Sequence, residues 1–380
     1  MTPHVEISLD NILHNLAQIR SVLPPDTGII AVVKDCSYGC GSAEIAKILS
    51  SDGGVKFFAV ARACEAFALR ESGVAETPVL VLGVSTEKEI RCGADKNIVF
   101  AMNDLSDIEQ WRSYGVDIRF HLNIDTGMSR LGILPAEIGE FIDTIKSVPN
   151  LRFDGVYTHM ACADESGTQT VNRQLEKFTE CIDRLRKTGI LPPHIHYGNS
   201  ATFLRFPVDG CTLVRPGITL YGCKPDPAQD FGINLKPAAS LISRVIKMKK
   251  VPAQTAVSYG GNYITPAETW IATIALGYAH GLPRFLSCKG EVLIGGKRYR
   301  IAGNVTMDCI MVDAGPNPVI SAGDEVVAIG SQGGETITPD DVAVIGNTIG
   351  YEIICNLGTS IDRVYTRNNK IIRHDRGAIF

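Results

Sequence analysis

Short unbroken apolar runs alternate with longer amphipathic stretches through the first two-thirds of the chain. The runs span residues 29–33, 57–60, 79–82, 98–101, 118–124 and 155–158, with weaker ones at 195–197 and 212–214. Continuous rather than alternating hydrophobicity suits strands buried on both faces, as in a parallel sheet. Helical spacing recurs between the runs. Residues 11–22 place Ile12, Leu16 and Ile19 on one stripe, and residues 175–185 do the same with Phe178 and Ile182. Ser42 and Asp104 stand where N-caps are expected, and Asn199-Ser200-Ala201 reads as a helix start. Eight strand–helix repeats close most economically as a (β/α)8 barrel, with an open doubly wound sheet as the alternative.

The texture changes after about Pro237. Runs at 243–251, 269–275, 291–294, 309–312 and 325–329 read as strands separated by Gly, Pro and Asn turns. The expected organisation is an α/β barrel over residues 9–236 and a mainly β domain built from 1–8 and 237–380. A length of 380 residues agrees with more than one domain.

Composition narrows the function. A net charge of −4 argues against nucleic acid or an anionic membrane as the main partner. No apolar run approaches the ~20 residues a membrane helix needs, and the start Met1-Thr2-Pro3-His4 has no signal-peptide character. A cytoplasmic chain without a membrane segment is expected, whether complete or cut from a longer membrane-attached parent. Eleven cysteines cannot all pair with one another. Scattered as they are, including in apolar stretches at Cys181, Cys211 and Cys309, they read as free thiols rather than a zinc site, so no metal is expected.

Candidate chemistry gathers at the ends of the predicted strands, where a parallel barrel builds its active site. Lys34 follows the apolar run 29–33. There, apolar walls would lower its pKa and free its amine, or it marks a strand end in water. The segment 121–132 places Asn123 at the end of the apolar run 118–124 and Arg130 beyond it, and an arginine there suits a carboxylate or a phenolic oxygen. Thr158-His159 and His194-Ile195-His196 repeat the pattern on later strands. Val214-Arg215-Pro216-Gly217-Ile218 ends the last one, where glycine admits a phosphate close to the backbone. Each motif alone also fits an ordinary loop.

Taken in order, these motifs resemble those of the alanine racemases, fold-type III pyridoxal-phosphate (PLP) enzymes, from about Val5 to Tyr365. The residues that carry the resemblance are Val32-Val33-Lys34 with Tyr38-Gly39, Ile124-Asp125-Thr126-Gly127-Met128 with Arg130-Leu131-Gly132, Thr158-His159, Asn199-Ser200-Ala201 and the Arg215 motif. Val257-Ser258-Tyr259-Gly260, Gly277-Tyr278, Gly281-Leu282-Pro283-Arg284 and Val305-Thr306-Met307-Asp308 continue it.

The resemblance implies a barrel followed by a β domain, and head-to-tail homodimers with shared active sites. It implies racemisation of L-alanine to D-alanine by two bases, Lys34, which also carries the PLP, and Tyr259. Tyr38, Ser200, Gly217 and Ile218 would hold the cofactor's phosphate. Arg215 would face its pyridine nitrogen, supported by His196. His159 would pack beside the ring and bond to Tyr259. Arg130 would hold the phenolic oxygen and, with Met307, the substrate carboxylate, while Tyr278 would belong to the same surroundings.

Three positions depart from the family. Asn123 replaces a lysine that is carbamylated in many members, so a bound anion such as chloride is expected to hold Arg130 instead. Asn304 replaces an arginine. Thr359 stands where a pocket-capping tyrosine is usual, as in relatives that racemise serine, so a serine or broad-specificity racemase is the alternative. A non-catalytic PLP-binding protein fits less well, because such chains lack the domain carrying Tyr259 and Met307. A PLP decarboxylase would need an acidic specificity motif that is missing.

Overall fold

The computed structural model describes residues 3–165, 167–357 and 361–376. One strand, β1 (His4–Ser8), precedes the first helix, Leu9–Ser21, whose N-cap Ser8 accepts the Asn11 N–H. Eight strands then form one parallel sheet: β2 (Gly28–Val32), β3 (Phe57–Val60), β4 (Val79–Val81), β5 (Ile98–Met102), β6 (Ile118–Asn123), β7 (Leu151–Tyr157), β8 (His194–His196) and β9 (Leu213–Val214). Their order is β8-β7-β6-β5-β4-β3-β2-β9.

The two edges meet. Thr212 N donates to Ile195 O at 2.9 Å, Arg215 N donates to Gly198 O at 2.7 Å, and Asn199 bridges Arg215 in parallel sense. That contact decides between the barrel and the open sheet. Helices between the strands cover the outside, as buried parallel strands require. Two caps differ from expectation. The helix Ser42–Ser51 is capped by Gly41 with no side-chain bond, and Asp104 accepts from Ser106 N ahead of the helix Ser106–Ser113.

The second unit is a ten-stranded, mainly antiparallel sheet. Its long strand β10 (Ala239–Val251) pairs with β1, with Thr269–Ile274 and with Glu325–Gln332. The chain start therefore belongs to this sheet, where β1 also pairs in parallel with Asp362–Arg367. Several strands here lack a hydrophobic signature. Lys297–Arg300 and Lys370–Asp375 are mostly exposed, so the pattern that marks a buried strand is missing from them. One large hydrophobic core runs through both sheets, from Ile30, Phe58 and Val99 to Leu241, Ile274 and Val327, and a small second cluster gathers Val251, Val257, Ile271 and Ala302. The eleven cysteines are unpaired, and no helix among the described residues is long and apolar enough to cross a membrane.

Candidate active site

A cavity of ≈ 280 Å³ opens at the C-terminal ends of the barrel strands. The walls come from strand ends and the first turn after them: Lys34 after β2, Asn123 at the end of β6, His159 after β7, Ser200 after β8, and Arg215, Gly217 and Ile218 after β9. Tyr38 and Arg130 complete the set of predicted residues brought together there. The sequence separates Lys34 from Ile218 by nearly half the chain. Barrel closure makes them neighbours.

Lys34 and Tyr38 bracket an unusual backbone. Asp35, Cys36, Ser37 and Tyr38 all lie in the left-handed region, with φ between 51° and 56°. Each non-glycine residue there costs roughly 1–2 kcal/mol, so the surroundings must hold the turn. Ser37 N donates to Val33 O, Gly39 N to Asp35 O and Gly41 N to Cys36 O. The turn sends both Lys34 and Tyr38 into the cavity. The Lys34 side chain is 39% exposed, 3.9 Å from the Asp35 carboxylate, which corrects the expectation of a lysine buried among apolar walls.

Arg215 is the most constrained charge. It is 3% exposed. Its Nη1 donates to His196 Nδ1 at 2.7 Å and to His196 O at 3.0 Å, and its Nη2 donates to Thr158 O at 2.9 Å and to His159 Nδ1 at 3.4 Å. It also lies 5.3 Å over the Tyr157 ring. Of the five guanidinium N–H groups, only Nε–H finds no acceptor among the described residues. Burial lowers the Arg215 pKa to about 10. Burial, then the charges of Arg215, Arg130 and Lys34, lowers His159 to about 3, so this imidazole is neutral. Its Nδ1 accepts from Arg215, which leaves the proton on Nε2.

One end of the cavity is lined by hydroxyls and amides. Gly217 N donates to Ser200 Oγ at 3.0 Å, and Ser200 Oγ lies 3.1 Å from Thr219 Oγ1. A Cβ on Gly217 would sit 2.4 Å from Tyr38 Oη, so only glycine fits against that phenol. At the opposite side, Asp125 Oδ1 accepts the N–H groups of Gly127, Met128 and Ser129 and shapes the loop that carries Arg130. Asn123 donates both amide hydrogens, to Asn103 Oδ1 and to Leu131 O, each at 2.9 Å. It has no N–H left for an anion. A chloride beside Arg130 would need other donors.

Other expected residues are elsewhere. Tyr259, Tyr278 and Met307 lie on the β unit, 76%, 44% and 55% exposed, and none lines the cavity. Asn304 donates to Tyr259 O at 2.8 Å. His196 is fully buried behind Arg215. Thr359 lies outside the described residues. Sequence reasoning missed Tyr157 as a cavity wall and platform for Arg215, although it ends an apolar run as the others do. Tyr351 lines the cavity with its ring 6.2 Å from that of Tyr38.

The chain matches the model for the alanine racemase N-terminal domain over residues 7–225 and that for the alanine racemase C-terminal domain over 238–365. An alanine racemase of Carboxydothermus hydrogenoformans is 40% identical, covering 95% of this chain and 98% of that one. Alanine racemase 2 of Bacillus subtilis is 38% identical, covering 97% and 96%. The crystal structure of alanine racemase from Bacillus anthracis superposes with a TM-score of 0.89 at 36% identity, over 98% of this chain and 97% of that one.

Proposed function

The chain belongs to the alanine racemase family, and from that premise we propose that it is a PLP-dependent isomerase interconverting L- and D-alanine, with Lys34 and Tyr259 as its two bases. The observation that carries the reading is the convergence of nine residues expected from sequence, Lys34, Tyr38, Asn123, Arg130, His159, Ser200, Arg215, Gly217 and Ile218, on one cavity.

The donor set fits PLP. A phosphate suits the end where Tyr38, Ser200 and the backbone of Gly217 and Ile218 meet, because the missing Cβ of Gly217 lets the Tyr38 phenol close against that backbone. Lys34 supplies the amine for covalent attachment, Arg130 a cation for the phenolic oxygen, and Arg215 a single uncommitted Nε–H for the ring. When bound, PLP serves as the electron sink that lets an amino acid release its α-proton.

Racemisation removes that proton from one face and returns one to the other. The Lys34 amine takes or gives it on one side. On the other stands the phenol of Tyr259, contributed by a second copy of the chain. Its exposure in the isolated chain supports this, as does that of Met307, whose backbone N–H would bind the substrate carboxylate. His159, neutral with its proton on Nε2, is suited to donate to the Tyr259 oxygen and favour its ionised form. After one turnover the proton has moved from one base to the other, and exchange with water resets the pair. The functional unit is therefore a homodimer with shared sites. We place it in the cytoplasm, where eleven unpaired thiols stay reduced.

The test is loss of optical activity from L-alanine and L-serine with PLP-loaded protein, beside Lys34→Ala. Racemisation of alanine, abolished in the variant, is expected. Yellow protein that racemises neither amino acid would overturn the reading. If Thr359 widens the pocket, Thr359→Tyr lowers the serine-to-alanine rate ratio. An unchanged ratio removes the serine alternative's support.

A further inference from the structure

Behind Arg215 the hydrogen bonds continue to a residue the reaction does not touch. His196 Nε2 lies 2.8 Å from His121 Nδ1, and both rings are fully buried. The proton positions follow from the chain of contacts. A guanidinium can only donate, so His196 Nδ1, 2.7 Å from Arg215 Nη1, must be bare. Burial holds both imidazoles well below their ordinary pKa and therefore neutral. The one proton of His196 then sits on Nε2 and is donated to His121 Nδ1. That leaves the proton of His121 on Nε2, a buried nitrogen with no hydrogen-bond partner among the described residues.

The barrel is built around the His121 ring. Gly155 pairs with it across β6 and β7, just past a register shift between Phe120 and His121. A Cβ on Gly155 would sit 2.7 Å from Cγ, Cδ2 and Cε1 of that ring. Phe57 meets the ring edge-on at 5.6 Å, and the His194 ring lies 5.8 Å away. A histidine kept in an apolar layer, with one nitrogen unpaired, is poorly explained by packing alone.

We propose that His121 is a positioning residue: by accepting from His196 Nε2 it fixes the tautomer whose bare Nδ1 receives Arg215, and so holds the guanidinium with Nε–H facing the cavity. Without that acceptor, His196 faces a choice. It either buries an unpaired N–H or moves its proton to Nδ1, where it opposes an Arg215 donor. Either outcome loosens Arg215. The consequence for the cofactor's ring rests on the racemase reading, whereas the tautomer does not.

The experiment uses 15N-histidine-labelled, PLP-loaded protein, with two-bond proton–nitrogen correlation spectra to distinguish bare from protonated ring nitrogens. Wild type is expected to show His196 with bare Nδ1 and protonated Nε2. His121→Leu, which removes the acceptor, should lose that signature, shift the absorption spectrum of the bound cofactor and lower kcat about 10-fold or more, with KM for alanine little changed. His121→Asn, whose Oδ1 can accept in place of Nδ1, should restore the tautomer and most of kcat. His121→Ala replaces the leucine variant if that one fails to fold. An acceptor-free variant with the wild-type tautomer and kcat would overturn the proposal, as would a folded asparagine variant that restores neither. Wild-type protein with the expected tautomer but no racemase activity would sink the racemase reading and leave the relay standing.

Discussion

Gly155→Ala is the most direct probe of how the barrel interior serves the cavity. The added methyl would meet three His121 ring atoms at 2.7 Å, roughly 0.8–1.3 Å short of the optimal carbon–carbon separation. The ring cannot retreat freely, because its Nδ1 is 2.8 Å from His196 and Phe57 closes another side. Overpacking of this kind costs about 1–3 kcal/mol. Displacing the ring far enough to relieve it breaks the bond to His196, adding about 0.5–1.5 kcal/mol. The expected destabilisation is therefore about 1.5–4.5 kcal/mol, the sum of those two ranges.

The ring can be removed to check the cause. In a His121→Ala background the methyl has room, and the same glycine substitution should cost less than about 0.5 kcal/mol. Urea unfolding of all four proteins at one fixed concentration gives the cycle, since dissociation of the proposed dimer would otherwise move the midpoint. Equal costs of Gly155→Ala in both backgrounds would refute the steric argument. In that event the glycine would be serving backbone geometry instead.

Three further outcomes are expected of the same site and its surroundings. Tyr259→Phe should lower kcat by about 10²- to 10⁴-fold with PLP binding intact, and mixing it with Lys34→Ala subunits should restore about a quarter of wild-type sites by dimer statistics; no recovery on subunit exchange would refute a shared site. Gly217→Ala, whose Cβ would strike Tyr38 Oη, should weaken PLP binding about tenfold or more, read by cofactor titration, and unchanged affinity would contradict the proposed phosphate cradle. Burial depresses the folded-state pKa values of His121, His159 and His196, so below about pH 6.5 the unfolded chain takes up protons the native one refuses. Stability from these groups is present above that pH and lost as pH falls, at up to about 4 kcal/mol per pH unit for three histidines. A urea midpoint unchanged between pH 7 and pH 5 would contradict their burial in neutral form.

Some of this protein is legible residue by residue. The buried parallel strands announced themselves because a strand covered on both faces must be apolar at every position, and 57–60 and 98–101 lie within observed strands. Asn199 was legible as a helix cap because its side chain bonds locally, to Thr202 N. The polar residues that end each apolar run were visible as candidates for the same reason. What they would do was not, since a lysine or arginine at a strand end looks alike whether it faces water or a ligand. Strands such as Lys297–Arg300 were invisible because they pack against little and follow no apolar rule.

Sequence alone determined the element order, the change of texture near Pro237 and the positions where chemistry could sit, because those depend on local periodicity and on which side chains carry charge. Tertiary structure decided the rest. Barrel closure at Asn199 and Arg215 set which strand ends face one another. Burial made His159 and His196 neutral acceptors for Arg215, and the vacancy at Gly155 admitted the His121 ring. It also left Tyr259 on an exposed surface of its own chain, away from Lys34. Those outcomes depend on which distant residues share a low-dielectric space, and contacts beyond the reach of a helix or strand repeat leave no periodic mark in the chain.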